Sequence, residues 1–343
     1  MGKAMKGSPV LPPHPRRAVS MADVAVEAGV SQQTVSRVVN GQPNVSQATR
    51  DRVTDAMARL GYRPNFAGRS LRDGRYGTVG LCTFDVSMAG NLSMFEGVVI
   101  AAREQGYAVT MIEMGPEQAP YSVARATSRL AELPVDGAII NLSVLPEDFE
   151  EYTPLPGLRT VLVTMFAHPR CTTIDSDQYG CAELAMACLL EHGHTEIRYV
   201  GGPTYSSHSE YREAGWRDVL ERERLRAIEP YRGDWSADSG YEAGCKLAGD
   251  HEMTAVFVSN DQMALGVIAA LRERGRRVPE DVSVIGVDDS LTGVVPRNEL
   301  TTIRFDLRKR GRIMFQEAIA GEGVKTIRVP GELVWRSTVA DRR

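Results

Sequence analysis

The sequence predicts a small all-α helix-turn-helix domain and a hinge, followed by a larger α/β body of two lobes built on parallel sheets. Three observations predict it: a basic N-terminal segment against an acidic remainder, three short capped helical patterns between residues 20 and 60, and repeated strand–helix alternation from Thr78 onward. The 343 residues suffice, at roughly 150 per unit, for two or three compact units with cores of their own. A composition of 43% hydrophobic, 24% charged and 6% aromatic residues belongs to a folded globular chain rather than a fibrous or low-complexity one. No apolar run approaches the ~18 residues of a membrane helix. Residues 1–18, crowded with proline and glycine, lack the continuous apolar core of an export signal and are expected to be a disordered tail. The five cysteines form no CxxC pair and no Cys/His cluster at zinc spacing, so they are expected to be reduced, mostly buried thiols in a cytoplasmic protein.

Charge divides the chain. Residues 1–76 carry +7 and the other 267 carry −11, within a total of −4. A small basic module on an acidic body points to a polyanionic partner for the module, although a solvated basic surface would show the same charge.

The three helices of the module follow from local chemistry. Ser20 can cap the first, with Asp23 three positions on, and Gly29 can end it at a positive φ. Ser31 caps a second helix running to about Val39, stopped by Asn40-Gly41 before Pro43. Ser46 caps a third, in which Val53, Ala56, Met57 and Leu60 recur at helical spacing. In the second helix Val35, Val38 and Val39 share a face, while Gln33, Ser36, Arg37 and Asn40 point away. Amides, a hydroxyl and a guanidinium on an outer face are groups that read base edges and bind phosphates.

The run MADVAVEAGVSQQTVSRVVNGQPNVSQATRDRVTDAMARLGYRPN resembles the N-terminal domain of the LacI/GalR family of bacterial transcription regulators. The likeness continues through nearly all of the chain after about residue 18. It implies a DNA-binding domain over 19–63, in which Ser31, Gln32, Gln33, Thr34, Ser36 and Arg37 sit in or beside the major groove. Gln32 and Gln33 occupy the positions that set operator choice. Asn40, Ser46, Thr49 and Tyr62 match positions that hold the phosphate backbone.

Residues 64–76 follow as hinge. Pro64 and Asn65 suit a helix start and Gly74 a stop, leaving about two turns, too short to be stable alone in water. Gly68 weakens them further. The resemblance implies that the segment coils on the operator beside its copy from a second subunit. Asn65 and Leu71 would then join the DNA contacts, with Leu71 wedged into the minor groove. The family usually has alanine where Gly68 stands, so this hinge is expected to be floppier.

The body, 77–343, alternates strands (TVGLCTF, YAVTMIE, DGAII, TVLV) with helices near Leu92–Gln105 and Val123–Leu133. A second series follows, with strands IRYVGG, TAVFVSN and VSVIGVDD and helices near Cys181–His192, Glu210–Arg222, Asp238–Ala248 and Gln262–Arg274. Apolar strands interleaved with helices mean parallel sheets covered on both faces, here in two lobes with a ligand cleft. The resemblance gives this body a periplasmic-binding-protein-like fold. No catalytic motif stands out, so neither an enzyme nor a cofactor is expected. His192-Gly193-His194 has no further ligand at metal spacing. Asp288-Asp289, adjacent at a strand end, should point opposite ways.

Arg212, Trp235, Asn260 and Asp288 fall near strand ends. They supply a donor fork, acceptors and a flat apolar face for a polyhydroxylated ligand. The resemblance implies that Arg212, Asn260 and Asp288 hydrogen-bond a sugar and that Trp235 packs on it. Thr164 stands where the family has a pocket aspartate, and Phe84-Asp85 replace small polar residues, which points away from galactosides as such and toward another sugar or sugar derivative. A purine or phosphoprotein corepressor is the alternative. A sugar-transport protein would need an export signal and have no use for residues 20–72. The expected partners are double-stranded operator DNA and a carbohydrate effector, with no membrane. The end TVADRR carries no leucine heptad for tetramers, so a homodimer is expected.

Overall fold

The computed structural model describes residues 19–63, 74–84, 89–115, 120–142 and 144–342, in two compact units divided between Gly74 and Arg75. The tail 1–18, the hinge residues Asn65, Gly68 and Leu71, and Asp85 lie outside the described residues.

In the first unit the predicted caps form. Helix α1 (Met21–Ala28) opens on a reciprocal capping box between Ser20 and Asp23 and closes on Gly29 at φ 63°. Helix α2 (Gln32–Val39) is capped by the Ser31 hydroxyl, which accepts from the Thr34 N–H at 3.1 Å. Helix α3 (Gln47–Leu60) is capped by Ser46 and ends on Gly61 at φ 64°. Each hydroxyl satisfies an amide that would otherwise lack a partner in the first turn. Val24, Ala25 and Ala28 of α1, Val35 of α2, and Val53 and Ala56 of α3 form the small core, with Val38 and Val39 packed at its margin. The exposed ion pair between Arg59 and Glu27, 3.1 Å, links α3 to α1.

The second unit begins with strand β1 (Thr78–Thr83), helix α4 (Ala89–Glu104), β2 (Ala108–Glu113), α5 (Val123–Ala131), β3 (Gly137–Asn141), β4 (Arg159–Val163) and β5 (Thr172–Asp175). It continues with α6 (Gln178–Glu191), β6 (Ile197–Gly201), α7 (Ser207–Arg222), β7 (Tyr231–Arg232), α8 (Ala237–Leu247), β8 (Ala255–Val258), α9 (Asp261–Glu273), β9 (Ser283–Val287) and β10 (Thr301–Arg304). Helix α10 (Leu307–Ala320), β11 (Thr326–Arg328) and β12 (Glu332–Val334) complete it. Two six-stranded sheets result, ordered β11-β5-β4-β3-β1-β2 and β12-β10-β9-β8-β6-β7. All neighbours are parallel except β12 against β10. Strands β5, β7, β10, β11 and β12 and helix α10 are additions to the sequence reading. The strands are short, and Gly311 interrupts the helical pattern of α10. None of the described helices is long and apolar enough to cross a membrane.

Alternation along the central strands sends side chains into two cores per lobe. In the first lobe Val79, Leu81 and Ile139 meet Met94 and Val98 of α4 and Met314 and Phe315 of α10. Cys82 and Ile140 meet Val123 and Leu130 of α5 on the opposite face. In the second lobe Tyr199 and Phe257 pack with Trp216 of α7, while Val200, Val256 and Val258 pack with Leu247 of α8 and Val267 of α9. The central strands, buried on both faces, are mostly apolar, as parallel sheets favour, with Arg198 of β6 a buried exception.

Two helix pairs approach closely enough to demand glycine. A methyl carbon at Gly97 of α4 would lie 2.1 Å from the Leu307 carbonyl oxygen, and one at Gly311 of α10 would lie 1.9 Å from the Gly97 carbonyl carbon. The second lobe repeats the device at Gly240 and Gly266, between α8 and α9. Backbone cannot yield as a flexible side chain would. Gly311→Ala is therefore expected to destabilise the protein by at least about 1–3 kcal/mol through overpacking, read as a lowered thermal midpoint by circular dichroism. An unchanged midpoint would contradict the close packing.

Candidate functional site: a polar helix face and a buried constellation

The two ends of the chain's chemistry lie in different units. In the first, the surface of α2 is polar and unspent. Gln32, Gln33 and Arg37 are exposed, and none of their side chains bonds or ion-pairs with another described residue. The first turn of α2 holds no acidic residue, so nothing there repels phosphate. Ser31 and Thr34 share a hydroxyl contact of 2.9 Å in the cap, and Ser46 and Thr49 repeat it at 2.9 Å in the cap of α3. Ser36 and Asn40 are half-buried and occupied with each other: the Asn40 amide donates to the Ser36 carbonyl at 2.6 Å and reaches its hydroxyl at 3.2 Å. Tyr62 packs on the core. The outward face predicted for α2 is thus freest at Gln32, Gln33 and Arg37. Asn65 and Leu71, on the hinge, lie outside the described residues.

In the second unit the four expected effector residues gather at the carboxyl edge of the second lobe's sheet, where β6, β8 and β9 end. Arg212, on α7 and only 4% exposed, organises them. Its Nε donates to Gln178 Oε1 at 2.7 Å, its Nη1 to the Ser259 carbonyl, and its Nη2 stands 3.5 Å from Asp288 Oδ1. The Trp235 ring lies beside it, its centroid 5.9 Å from the guanidinium carbon. Trp235 is held at φ 76° in the turn whose Asp234 carboxylate accepts from the Ser236 N–H at 2.9 Å. Those Ser236 bonds pull the Asp234 carboxyl down to about 2. The indole leans over Gly202, where a methyl carbon would come within 2.3 Å of the ring, and its buried N–H has no partner among the described residues.

Asn260 differs from expectation in its present bonding. Its Oδ1 caps α9 by accepting from the Met263 N–H at 2.9 Å, and its Nδ2 donates to the Trp235 carbonyl at 2.9 Å and to Gln262 Oε1 at 3.1 Å. Both amide protons are used, leaving acceptor capacity on the oxygen. Asp288 and Asp289 do point apart: Asp288 faces Arg212, whereas Asp289 binds Arg336 at 2.7 Å and lies 3.5 Å from Arg304. In the first lobe Thr164 is buried and accepts from the Phe166 N–H at 3.3 Å. The Phe166 ring meets Tyr211 of α7 edge-on at 5.6 Å. Phe84 is a core residue against Tyr121, 4.4 Å between centroids.

Four polar residues here are not among those the sequence singled out as effector contacts: Gln178, His208, Asp261, which stands beside Asn260 at a strand end, and Arg310. Each sits in a helix beside or within a polar run, and nothing local distinguishes a buried polar side chain from a solvated one. His208, in the first turn of α7, is pushed down to about 3 by burial and by the charges of Arg212 and Arg310, so it is neutral at physiological pH.

The remaining candidates resolve structurally. His192 Nδ1 pairs with the Cys188 carbonyl at 2.7 Å and its ring stacks on Trp335, while His194 Nε2 pairs with the Ala340 carbonyl at 3.0 Å. No group of acidic, His and Cys side chains among the described residues could hold a metal ion. All five cysteines are free, and burial pushes the Cys82 thiol up to about 12. A depression of about 420 Å³ on the first lobe includes Arg159 and Arg170. Both guanidiniums are occupied there by backbone carbonyls, which leaves little for a ligand.

Asp261 is fully buried and accepts from the Ser290 N–H at 2.8 Å and the Thr302 hydroxyl at 2.7 Å. Burial, reinforced by the charge of Asp288, pushes its carboxyl up to about 8. The folded chain therefore keeps a proton that the unfolded carboxyl releases above its ordinary range, and stability falls as pH rises from about 4 toward 8. Asp261→Asn, neutral throughout and able to donate to Thr302 while accepting from Ser290, is expected to lose that fall. Thermal midpoints compared at about pH 5 and about pH 8 check it, and equal changes in both proteins would refute the assignment.

Comparison with known proteins agrees with both halves. Residues 20–65 match the family described as bacterial regulatory proteins, lacI family, and residues 186–339 match the periplasmic binding protein-like domain. The lactose operon repressor of Escherichia coli strain K12 is 33% identical over 330 residues, covering 93% of this chain and 90% of that one. Catabolite control protein A of Priestia megaterium is 34% identical over 292 residues, covering 83% and 87%. Among solved structures, the lac repressor bound to ONPG in the repressed state superposes with a TM-score of 0.79 at 30% identity, covering 94% of this chain and all of that one. The complex of the transcriptional regulator CelR with cellobiose gives 0.64 at 29% identity, covering 93% and 99%. A helix-turn-helix unit with an unspent polar helix, joined to a two-lobe binding fold and aligned over nearly its whole length with these regulators, places the chain in the LacI family of bacterial regulatory proteins.

Proposed function

We propose that the protein is a cytoplasmic transcription repressor that binds a pseudo-palindromic operator as a homodimer and is controlled by a carbohydrate bound between the lobes of its second unit. The observation that carries this reading is the convergence of Arg212, Trp235, Asn260 and Asp288 at one sheet edge, in a chain whose N-terminal unit offers Gln32, Gln33 and Arg37 unpaired. Relatives support it: a lac repressor dimer has been solved on its operator with the anti-inducer ONPF, and the CelR structure holds a sugar. Gln32 and Gln33 read base edges, Arg37 and the capped starts of α2 and α3 engage phosphates, and Asn65 and Leu71 of the hinge complete the contact. One helix-turn-helix per chain requires two chains for an inverted repeat. At the other end, Arg212 and Asp288 bind ligand hydroxyls, Asn260 offers its oxygen, and Trp235 supplies the apolar face.

Two substitutions test the two ends separately. Gln33→Ala is expected to cost about 1–3 kcal/mol at particular base pairs and relax sequence preference there, measured by selection from a randomised operator library. An unchanged profile removes Gln33 from the reading role. Asp288→Asn should weaken the response to the effector at least tenfold, about 1.4 kcal/mol, while operator affinity without effector stays as in the wild type. Normal induction in that variant removes Asp288 from the pocket.

A further inference from the structure

Arg310 is a buried charged side chain near this constellation that the reading above leaves unused. It lies in the first turn of α10, directly after the chain passes from β10 in the second lobe to α10 on the first, and is only 8% exposed. Its guanidinium carbon stacks 5.5 Å from the ring of Phe305, itself part of the second lobe's core. Its Nε is buried with no hydrogen-bond partner among the described residues. Aromatic stacking contacts the flat face of a guanidinium and leaves its edge donors unsatisfied.

The neighbouring carboxylates do not answer it. Asp306 is spent capping α10, accepting from the Lys309 N–H at 2.9 Å. Asp289 belongs to Arg336 and Arg304, and Asp261 keeps its proton to about pH 8. Asp288 acts on Arg310 electrostatically, but Arg212 already claims it and opposes Arg310 in turn. Burial, only partly offset by Asp288, draws the Arg310 guanidinium down to about 10, so it remains charged at neutral pH. Two buried guanidiniums thus share one carboxylate, Asp288, and both act on a neutral imidazole, His208. A buried cation with unmet donors is stable only beside an anion that reaches it.

We propose that the effector is an anionic carbohydrate whose carboxylate or phosphate is received by Arg310, with Arg212 as the second counter-charge. This rests on the carbohydrate reading above and narrows it. Both candidate groups present the planar or tetrahedral oxygens that a guanidinium fork binds through paired hydrogen bonds. They differ in charge and shape, so the experiment keeps them apart.

The test is isothermal titration of the full chain, wild type and Arg310→Met, with glucuronate and gluconate for the carboxylate arm and glucose 6-phosphate for the phosphate arm. Glucose is the neutral control and inorganic phosphate the control for an unattached anion. At least one anionic sugar is expected to bind the wild type at least tenfold tighter than glucose, and Arg310→Met is expected to remove that advantage. Without ligand the variant should melt no lower than the wild type, because an unpaired buried charge has been replaced by an apolar chain of similar length. Should methionine prevent folding, Arg310→Gln carries the same comparison. Neutral glucose binding as tightly as the acids, or equal binding of the acids by wild type and variant, overturns the anionic assignment and leaves the carbohydrate reading standing. Binding of inorganic phosphate alone, with no sugar in either arm, keeps the anion site and overturns the sugar. No binding by any probe overturns both.

Discussion

A guanidinium taken out of water has to recover its hydrogen bonds from the protein, and Arg212 meets that demand by drawing four elements together. Gln178 at the start of α6, the Ser259 carbonyl at the end of β8, Asp288 at the end of β9 and the Trp235 ring all converge on it. Asp288 and Trp235 are held at φ 103° and 76°, where residues with a Cβ are strained. Such backbone persists only when its surroundings over-determine it, and here the surroundings are the bonds to Arg212 and the packing over Gly202. Any ligand that replaces one of Arg212's partners therefore acts on the ends of several strands at once.

The same constraint is met differently a few residues away. Asp261 escapes the cost of burial by holding its proton, which lets the Thr302 hydroxyl and Ser290 amide satisfy it without a counter-charge. Asp289 escapes it by pairing with two arginines. Pairing and neutralisation are the two remedies available to a buried charge, and a guanidinium cannot use the second. That asymmetry explains why a buried arginine without a carboxylate of its own carries information that a buried aspartate does not.

How much of this could be read from the amino acids depended on whether the decisive physics was local. The caps Ser20, Ser31 and Ser46 and the stops Gly29 and Gly61 act within a few residues of themselves, and the three helices of the first unit stand where those residues put them. The gathering of Arg212, Trp235, Asn260 and Asp288 was legible because each falls near a strand end and the family resemblance picks out all four. Strands β5, β10, β11 and β12 were not: they are three or four residues long and stabilised by neighbours distant in sequence. Asn260 was legible as a candidate at a strand end but not as the bond between Trp235 and α9. Arg310 was hidden for a related reason. Its run RKRGR reads as a solvated basic surface, and only the fold brings one of those arginines inward against Phe305.

That approach also bears on how a ligand could be felt beyond its site. Phe305 belongs to the core of the second lobe, and Met314 and Phe315 to the core of the first, so fewer than ten residues join the two. Within that span the Gly97–Gly311 contact fixes the first turn of α10 against α4, with Arg310 immediately beside it. A ligand shifts an equilibrium only through contacts that differ between two states. One held by Arg212 on α7 and Arg310 on α10 would touch both lobes at the segment joining them. Its differential contact would lie where a change in lobe arrangement must be absorbed, and the coupling of roughly 1–3 kcal/mol typical of such switches is within reach of one charge-assisted hydrogen bond made in one state and lost in the other.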